Sequence, residues 1–484
     1  MKSEDRSTLL IRLGELTLKS KRVRQRFTLQ LIQNLRAALD AEGISDYRVL
    51  NEWSRLFVEV PEDQRERAQE VLQRVFGIAS LSPVQAVYFR SLKDLETFAE
   101  QEYALLVDGR PFAVRVKRVG RHPFRSIDVE RLVGGRLARY GTVDLDHPEV
   151  LVEIEIREHQ AFFFVERIPG PGGLPLGTEG KALALVSGGF DSAVAAWLMM
   201  KRGVALDFVL FNLGGPLHLK GTLDVVRTLC RRWCYGMDPK FHEVDFHEVV
   251  QDLHAHVKEN YWNLILKRLM YRAAARLARQ IGVPAVVTGE SIGQVSSQTF
   301  VNLTVLEEAA EVPVFRPLLT YDKQEIIDLA RRIGTYEVSA AVAEFCQLVA
   351  RHPVTRAQPQ RVRELEQRLN PNLLAQAVDQ RRSFRLDEAP RELLGDIEVE
   401  TVPEGAQILD VRHRPDPPLP SARWIPANRI KEALKALDPS LTYVVVCESG
   451  YRSFEIAQRL RQEGFQAYSL KGGVRWLLKP TSSA

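Results

Sequence analysis

Ser187-Gly188-Gly189-Phe190-Asp191-Ser192 places two hydroxyls, two glycines and a carboxylate within six residues. An apolar run, Ala182-Leu183-Ala184-Leu185-Val186, precedes it, and a helical pattern, Ala193-Val194-Ala195-Ala196-Trp197-Leu198, follows. Strand, tight turn and helix N-terminus together aim backbone N–H groups and the positive end of a helix dipole at one point, which suits a phosphate. Gly188 and Gly189 let the main chain approach the anion with no Cβ in the way. Ser187 and Ser192 add hydroxyl donors, and Asp191 can hold Mg2+ or position a leaving group. The bland alternative is a glycine turn capped by serine; the flanking strand, the helix and the aspartate weigh against it. The loop lacks the Gly-Lys-Ser/Thr of a Walker A motif, which argues against an ordinary kinase or GTPase.

A second reactive arrangement lies near the C-terminus. Cys447 ends the apolar run Tyr443-Val444-Val445-Val446, and Glu448-Ser449-Gly450-Tyr451-Arg452 leads into a helical pattern. A thiol at a strand-to-helix turn faces backbone N–H groups and a dipole end, which favour thiolate or persulfide, and Arg452 adds positive charge. Buried structural cysteine is the competing reading. Cys230 and Cys234, at i and i+4 of a helical pattern, read as core packing. By itself Cys346, in Glu344-Phe345-Cys346-Gln347, reads the same way. Four cysteines are too few for a disulfide scaffold in 484 residues, and with no CxxC pair no protein-only metal site is expected.

The elements that must position these groups read as an α/β multidomain chain. A length of 484 residues implies several domains, and 45% hydrophobic with 26% charged residues is the balance of a globular protein. No apolar run is long enough to span a membrane, and the acidic, non-apolar N-terminus predicts no signal peptide, so a cytoplasmic protein is expected. Net charge is only +4, but residues 110–140 hold nine Lys/Arg against Asp128 and Glu130. Arg115, Lys117, Arg118, Arg121 and Arg125 form the centre of this stretch, and Lys19, Lys21, Arg22, Arg24 and Arg26 make a second cluster. Such density attracts a phosphate backbone. A solvated charged face is the alternative.

Strand and helix patterns divide the chain. Residues 1–60 suggest a ferredoxin-like α+β module, and 61–167 a second α+β module holding the basic stretch. Residues 168–180, rich in Gly and Pro, read as a linker. From 181 to 350, apolar strands alternate with helices, predicting a doubly wound parallel sheet with the Ser-Gly-Gly turn beyond a strand C-terminus. Residues 351–397 read as a charged helical connector, and 398–484 as a small α/β module.

The hexapeptide resembles the SGGxDS signature of PP-loop ATP pyrophosphatases, which split ATP to AMP and pyrophosphate while adenylating a substrate. The Cys447 loop resembles the CxxGxR loop of rhodanese sulfurtransferases, supported by Leu409-Asp410-Val411-Arg412 and Trp424-Ile425-Pro426-Ala427. The module is short and Pro-rich between Val411 and Trp424, which favours a persulfide carrier serving its own chain over an independent sulfurtransferase. With Val114 to Arg118, Ser126 to Glu130 and Gly134-Gly135 similar to a THUMP RNA-binding domain, the ordered set resembles the family of bacterial tRNA 4-thiouridine synthetases. These are tRNA sulfurtransferases, also sulfur-transfer proteins of thiamine biosynthesis, here with a C-terminal rhodanese domain. Thr288 to Thr299, Arg316-Pro317-Leu318, Tyr321-Asp322-Lys323 and Glu344-Phe345-Cys346 match further family segments.

The resemblance implies ATP contacts from Ala184, Leu185, Ser187, Gly188, Gly189, Ser192, Lys267, Gly289 and Gln298, with Asp191 catalytic and Mg2+ accompanying ATP. It implies a persulfide on Cys447, in a loop with Gly450 and Arg452, and Cys346 as the resolving thiol that forms a disulfide with Cys447. Lys267 alone would read as a solvated helix residue. The implied partners are tRNA, a cysteine desulfurase as sulfur donor and the thiamine sulfur-carrier protein; a homodimer would serve if the RNA module lies far from Cys447. Sulfur reaches the uridine as persulfide or as sulfide. Rival readings are a sulfur relay to a small carrier protein only, a non-catalytic RNA-binding protein, and an amide-forming ATP-dependent ligase.

Overall fold

The first strand is buried continuously from Leu9 to Leu13, as a strand covered on both faces is, and Phe27, Leu31, Leu35 and Leu39 make one face of the first helix. The computed structural model describes residues 6–52, 55–342, 352–388, 396–413, 415, 417–448 and 450–474. The chain forms two compact units. The first extends to Glu179 and includes Lys201–Gly203 and Tyr235–Met237; the second holds the rest.

In the first unit the elements run β1 (Arg6–Leu13), α1 (Lys21–Ala41), β2 (Arg48–Glu52), β3 (Arg55–Pro61), α2 (Arg65–Leu72), β4 (Ile78–Tyr88) and α3 (Leu92–Val107). They continue β5 (Pro111–Val119), α4 (Ser126–Leu137), β6 (Thr142–Val143), β7 (Val150–Arg157), β8 (Gln160–Phe164) and β9 (Ile168–Pro169). One sheet, ordered β2-β3-β1-β4-β8-β7-β5-β6, joins them, with β9 added on β4. Strand β4 carries the join: its start pairs with β1 and its end, Gln85–Tyr88, pairs with β8. Two separate cores form, one around Leu9, Leu31 and Val58, the other around Leu95, Val129 and Phe163. Arg12 on β1 reaches Glu155 on β7 at 2.9 Å and Ser82 on β4 at 2.8 Å. Burial pushes the Glu155 carboxyl up, but Arg55 and Arg12 outweigh it and hold it below the ordinary range. Residues 168–180 pack rather than hang free: Leu174 and Leu176 are buried, and Asn34 Nδ2 donates to Leu176 O at 3.0 Å.

In the second unit come β10 (Lys181–Leu185), α5 (Phe190–Lys201), β11 (Ala205–Asn212), α6 (Gly215–Trp233), β12 (Lys240–Asp245), α7 (His247–His256), α8 (Trp262–Ile281) and β13 (Val286–Val287). They are followed by α9 (Phe300–Glu307), β14 (Val314–Phe315), α10 (Lys323–Ile333), α11 (Tyr336–Ala341), α12 (Pro359–Glu366), α13 (Pro371–Asp379) and β15 (Arg382–Arg385). The sheet order is β14-β13-β10-β11-β12-β15. From β10 the chain winds outward to β11 and β12, then returns to β13 and β14 on the other side. The strand order therefore reverses at β10, and the crevice beyond its C-terminal end holds the Ser-Gly-Gly loop. The sheet is parallel apart from β15, which pairs antiparallel with β12. Thus the stretch read as a connector also closes one sheet edge, and its Val362, Leu365 and Val378 enter the main core.

The last module comprises β16 (Glu398–Val399), β17 (Gln407–Asp410), β18 (Arg423–Trp424), α14 (Ile430–Ala433), β19 (Thr442–Val446), α15 (Tyr451–Gln462) and β20 (Gln466–Leu470). Its parallel sheet is ordered β16-β20-β19-β17-β18, with β19 central and Cys447 just beyond its end. Among the described residues, no helix is long and apolar enough to cross a membrane.

Candidate functional site

Strand β10 delivers the Ser-Gly-Gly loop and α5 receives it. Ala184 pairs with both neighbours, Phe208 and Val287, whereas Leu185 pairs only with Val209, beyond the end of β13. Gly188 has φ +82°, and a Cβ there would lie 2.9 Å from Val342 Cγ1, so glycine is required twice over. Ser192 Oγ donates to Gly189 O at 3.1 Å and ties the turn to the first turn of α5. Gly289, just after β13, passes against that turn: a Cβ would sit 2.6 Å from Asp191 C and 2.7 Å from Ser192 N.

Asp191 does not stand alone. Lys323 Nζ, at the start of α10, lies 2.8 Å from Oδ1, and Gln294 Nε2 donates to Oδ2 at 3.0 Å. Behind this pair, Glu290 is buried among Lys267 Nζ at 3.3 Å, Arg316 Nε at 3.1 Å, Thr288 Oγ1 at 3.2 Å and the Tyr271 hydroxyl. Burial pushes the Glu290 carboxyl up, yet Lys267, Tyr271 and Arg316 hold it below the ordinary range. With its amide turned to satisfy both ends, Gln298 donates to Ser291 O at 2.7 Å and accepts from Lys267 Nζ at 3.2 Å. Lys267 is therefore a part-buried, aimed cation, not a solvated one. The structure brings the loop, Asp191, Lys267, Gly289 and Gln298 to one crevice. Among the described residues no cluster of three or more His, Cys, Asp or Glu is arranged to hold a metal.

His218 on α6 supports the loop from behind. Its Nδ1 accepts from Leu213 N–H at 3.2 Å and its ring bonds the Ser187 backbone. Burial pushes its pKa down to about 4, the Ser187 contact opposing, so the folded chain holds it neutral. Once unfolded, it takes up a proton below its ordinary 6.5. Stability is then full above pH 6.5 and falls as pH drops toward 4, by about 3 kcal/mol over that window. Urea unfolding at a series of pH values should show this slope, and His218→Gln should flatten it; an unchanged slope would assign it to other groups.

In the last module, Cys447 is 2% exposed. Its Sγ accepts from Gly450 N–H at 3.2 Å and Ser453 N–H at 3.3 Å, with Ser453 Oγ at 3.3 Å. These donors come from the start of α15, whose N-cap Gly450 has φ +91°. A pocket of main-chain donors around one sulfur suits a thiolate or persulfide. Asp410 and Arg412 form a buried pair, with Arg412 Nη2 2.7 Å from Asp410 Oδ2. Arg452 lines a neighbouring cavity of about 420 Å³ with His413, Glu455 and Arg459. Cys346, with Glu344 and Phe345, lies outside the described residues. Cys234 is buried and Cys230 half-buried, their sulfurs 2.8 Å apart beside Met200.

In the first unit, Arg115 and Lys117 point outward from β5 while Phe112 and Val114 fill the core. Arg115 donates to Leu145 O at 2.8 Å, and Arg118 meets His122 at 3.2 Å. Arg121 is exposed, and Arg125 caps α4 with Asp128. Glu290, Gln294, Arg316 and Lys323 carry no local signal of their own but lie inside the segments Thr288–Thr299, Arg316–Leu318 and Tyr321–Lys323. Tyr271 stands one turn beyond Lys267, but nothing local marks His218.

Four family models match successive parts of the chain. A ferredoxin-like domain matches residues 8–82, a THUMP domain 90–166, the family described as thiamine biosynthesis protein (ThiI) 177–370, and a rhodanese-like domain 391–479. A tRNA sulfurtransferase of Pyrobaculum aerophilum is 38% identical over 96% of this chain and 96% of its own length. One from Pseudomonas aeruginosa is 37% identical over 93% of this chain and 96% of its own. Among solved structures, a 4-thiouridine synthetase–RNA complex with bound ATP superimposes with TM-score 0.67 at 29% identity, covering 78% of this chain and 99% of that one. PH1313 from Pyrococcus horikoshii gives TM-score 0.53 at 27% identity over 68% of this chain and 99% of its own.

Proposed function

The chain belongs to the thiamine biosynthesis protein (ThiI) family, and from that premise we propose that it is an ATP-dependent tRNA sulfurtransferase. Its product is 4-thiouridine, by likeness at position eight of tRNA. Residues 1–167 hold the tRNA, 181–350 adenylate it and 398–484 carry the sulfur. The observation that carries this reading is Cys447 under two main-chain N–H donors, in the same compact unit as the Ser-Gly-Gly crevice.

The uridine O4 attacks the α-phosphate of ATP and pyrophosphate leaves, so that AMP becomes the leaving group at C4. N–H groups of the loop would bind the phosphates, with Lys267, held beside Glu290, supplying positive charge, and Gly289 lets its strand end pack against the loop backbone. Asp191 and Lys323, oppositely charged at the loop mouth, orient the nucleotide. Asp191, the one carboxylate of the loop, would hold a Mg2+ ion accompanying ATP, which would offset the phosphate charge. The terminal sulfur of a Cys447 persulfide, supplied by a cysteine desulfurase, then bonds C4 as AMP departs. Cys346 thiolate attacks Cys447 Sγ, the tRNA thiolate leaves, and the new disulfide is reopened by a thiol reductant. The intact sulfur-carrying module equally suits donation to the thiamine carrier protein.

Purified protein, unmodified tRNA transcript, Mg-ATP, cysteine and a cysteine desulfurase should yield 4-thiouridine, detected by mass spectrometry of digested tRNA. No thionucleoside, with Cys447 still acquiring persulfide, would leave the carrier-protein relay as the function. Arg115, Lys117 and Arg118 changed together to Gln should weaken tRNA binding. They should also reduce the slope of log affinity against log salt by about 2 to 3. An unaltered slope would remove these side chains from the interface.

A further inference from the structure

A helix on the outside of a doubly wound sheet usually keeps a solvent face. Within α6 the stretch His218, Leu219, Lys220, Gly221, Thr222 and Leu223 does not: all six are buried, although Gly215, Pro216, Arg231 and Arg232 at the ends are exposed. One side backs the nucleotide loop, through His218 at the Ser187 backbone and Thr222 beside Gly188. Helix α6 also packs against α11 and against α15, the helix that begins at the Cys447 loop.

Lys220 lies in this covered surface with 4% of its side chain accessible. Its ammonium bonds the Asp224 carboxylate one turn along α6 and lies 3.2 Å from Glu398 Oε1 on β16 of the sulfur-carrying module. Burial works against the charge, but Asp224 and Glu398 outweigh it and Lys220 stays protonated. Nearby, Arg227 Nε donates to Leu386 O at 2.7 Å, fixing the chain that leads into the module. Apolar residues would hold two modules together as firmly, but they tolerate sliding. A buried charge that loses its partner is strongly destabilising, which disfavours other seatings.

We propose that Lys220, with Asp224 and Glu398, is a positioning cluster that seats the sulfur-carrying module on the helix backing the nucleotide loop. Persulfide delivery from Cys447 to the activated uridine then starts from a set place. The proposal rests on the sulfurtransferase reading above.

Three readouts on the full chain separate the roles: persulfide on Cys447 by intact mass, tRNA-dependent pyrophosphate release from ATP, and single-turnover thiouridine formation from preloaded persulfide. Lys220→Met should leave the first two within about twofold of the unaltered chain and slow the third on the order of tenfold or more. Lys220→Arg should restore transfer, as should Lys220→Glu combined with Glu398→Lys. Sodium sulfide supplied as donor, which bypasses Cys447, should serve Lys220→Met and the unaltered chain equally. Glu398→Gln asks the same from the other side should Lys220→Met fail to fold. Parallel loss of all three readouts, or transfer at the unaltered rate, overturns the positioning role. If the unaltered chain makes no thiouridine, it is the sulfurtransferase reading that falls.

Discussion

Cys447→Ala is expected to abolish thiouridine formation, by roughly 10³-fold or more, while tRNA affinity and pyrophosphate release persist. In the proposed reaction the sulfur is the atom that bonds and carries the transferred group, so nothing left in the loop could replace it. Its loss leaves the Gly450 and Ser453 N–H donors without their acceptor, but other contacts still hold the loop. Gly450 is held by its own αL conformation, and Ser453 by hydrogen bonds to Gly450 O at 3.1 Å and Ser469 Oγ at 2.8 Å. Loss of the buried sulfur and of its two N–H contacts should cost on the order of 2–3 kcal/mol, less than the stability of a typical domain. Mass spectrometry of digested tRNA and filter binding at fixed salt measure the two quantities separately. Parallel loss of tRNA binding would make the cysteine structural.

Asp191→Ala is expected to lower tRNA-dependent pyrophosphate release by about 10²- to 10³-fold, with persulfide formation on Cys447 unaffected. Stability should barely change. The Asp191 and Lys323 side chains are 28% and 46% accessible, and an ion pair so exposed is worth about 0–1 kcal/mol. That separates Asp191 from Glu290, buried among Lys267, Arg316 and Tyr271, whose removal would leave cations without their counter-charge. Thiouridine formation that survives Asp191→Ala would exclude adenylation by this loop. Sulfur donation to a carrier protein that survives it would show that relay and adenylation are separable activities of one chain.

The two reactive loops were legible in the sequence because their chemistry is local. Ser187 to Ser192 and Cys447 to Arg452 each form a strand end, a glycine turn and a helix start within a few residues. Around Cys447 the donors come from that same backbone. The parallel strands of the middle region were legible for a related reason, since apolar runs alternating with helical periods leave few other arrangements. The sheet edges were not. β15 falls in a charged stretch whose pattern reads as helix, and only the open edge of β12 draws Arg382–Arg385 into a strand. Likewise β4 reads as a single strand, and its service to both halves of the first unit emerges only once β1 and β8 pair with its two ends.

The sequence by itself determined the turn chemistry of Ser187–Ser192 and of Cys447–Arg452, the order of the modules and the basic stretch from Arg110. The tertiary structure decided which distant charges meet: Asp191 with Lys323, Glu290 with Lys267 and Arg316, Lys220 with Glu398. The physical reason is the range of the interaction concerned. Backbone donors and helix dipoles are fixed by neighbours along the chain. A buried ion pair is selected by the cost of leaving either charge alone in the interior, and that cost arises only when packing has removed the water.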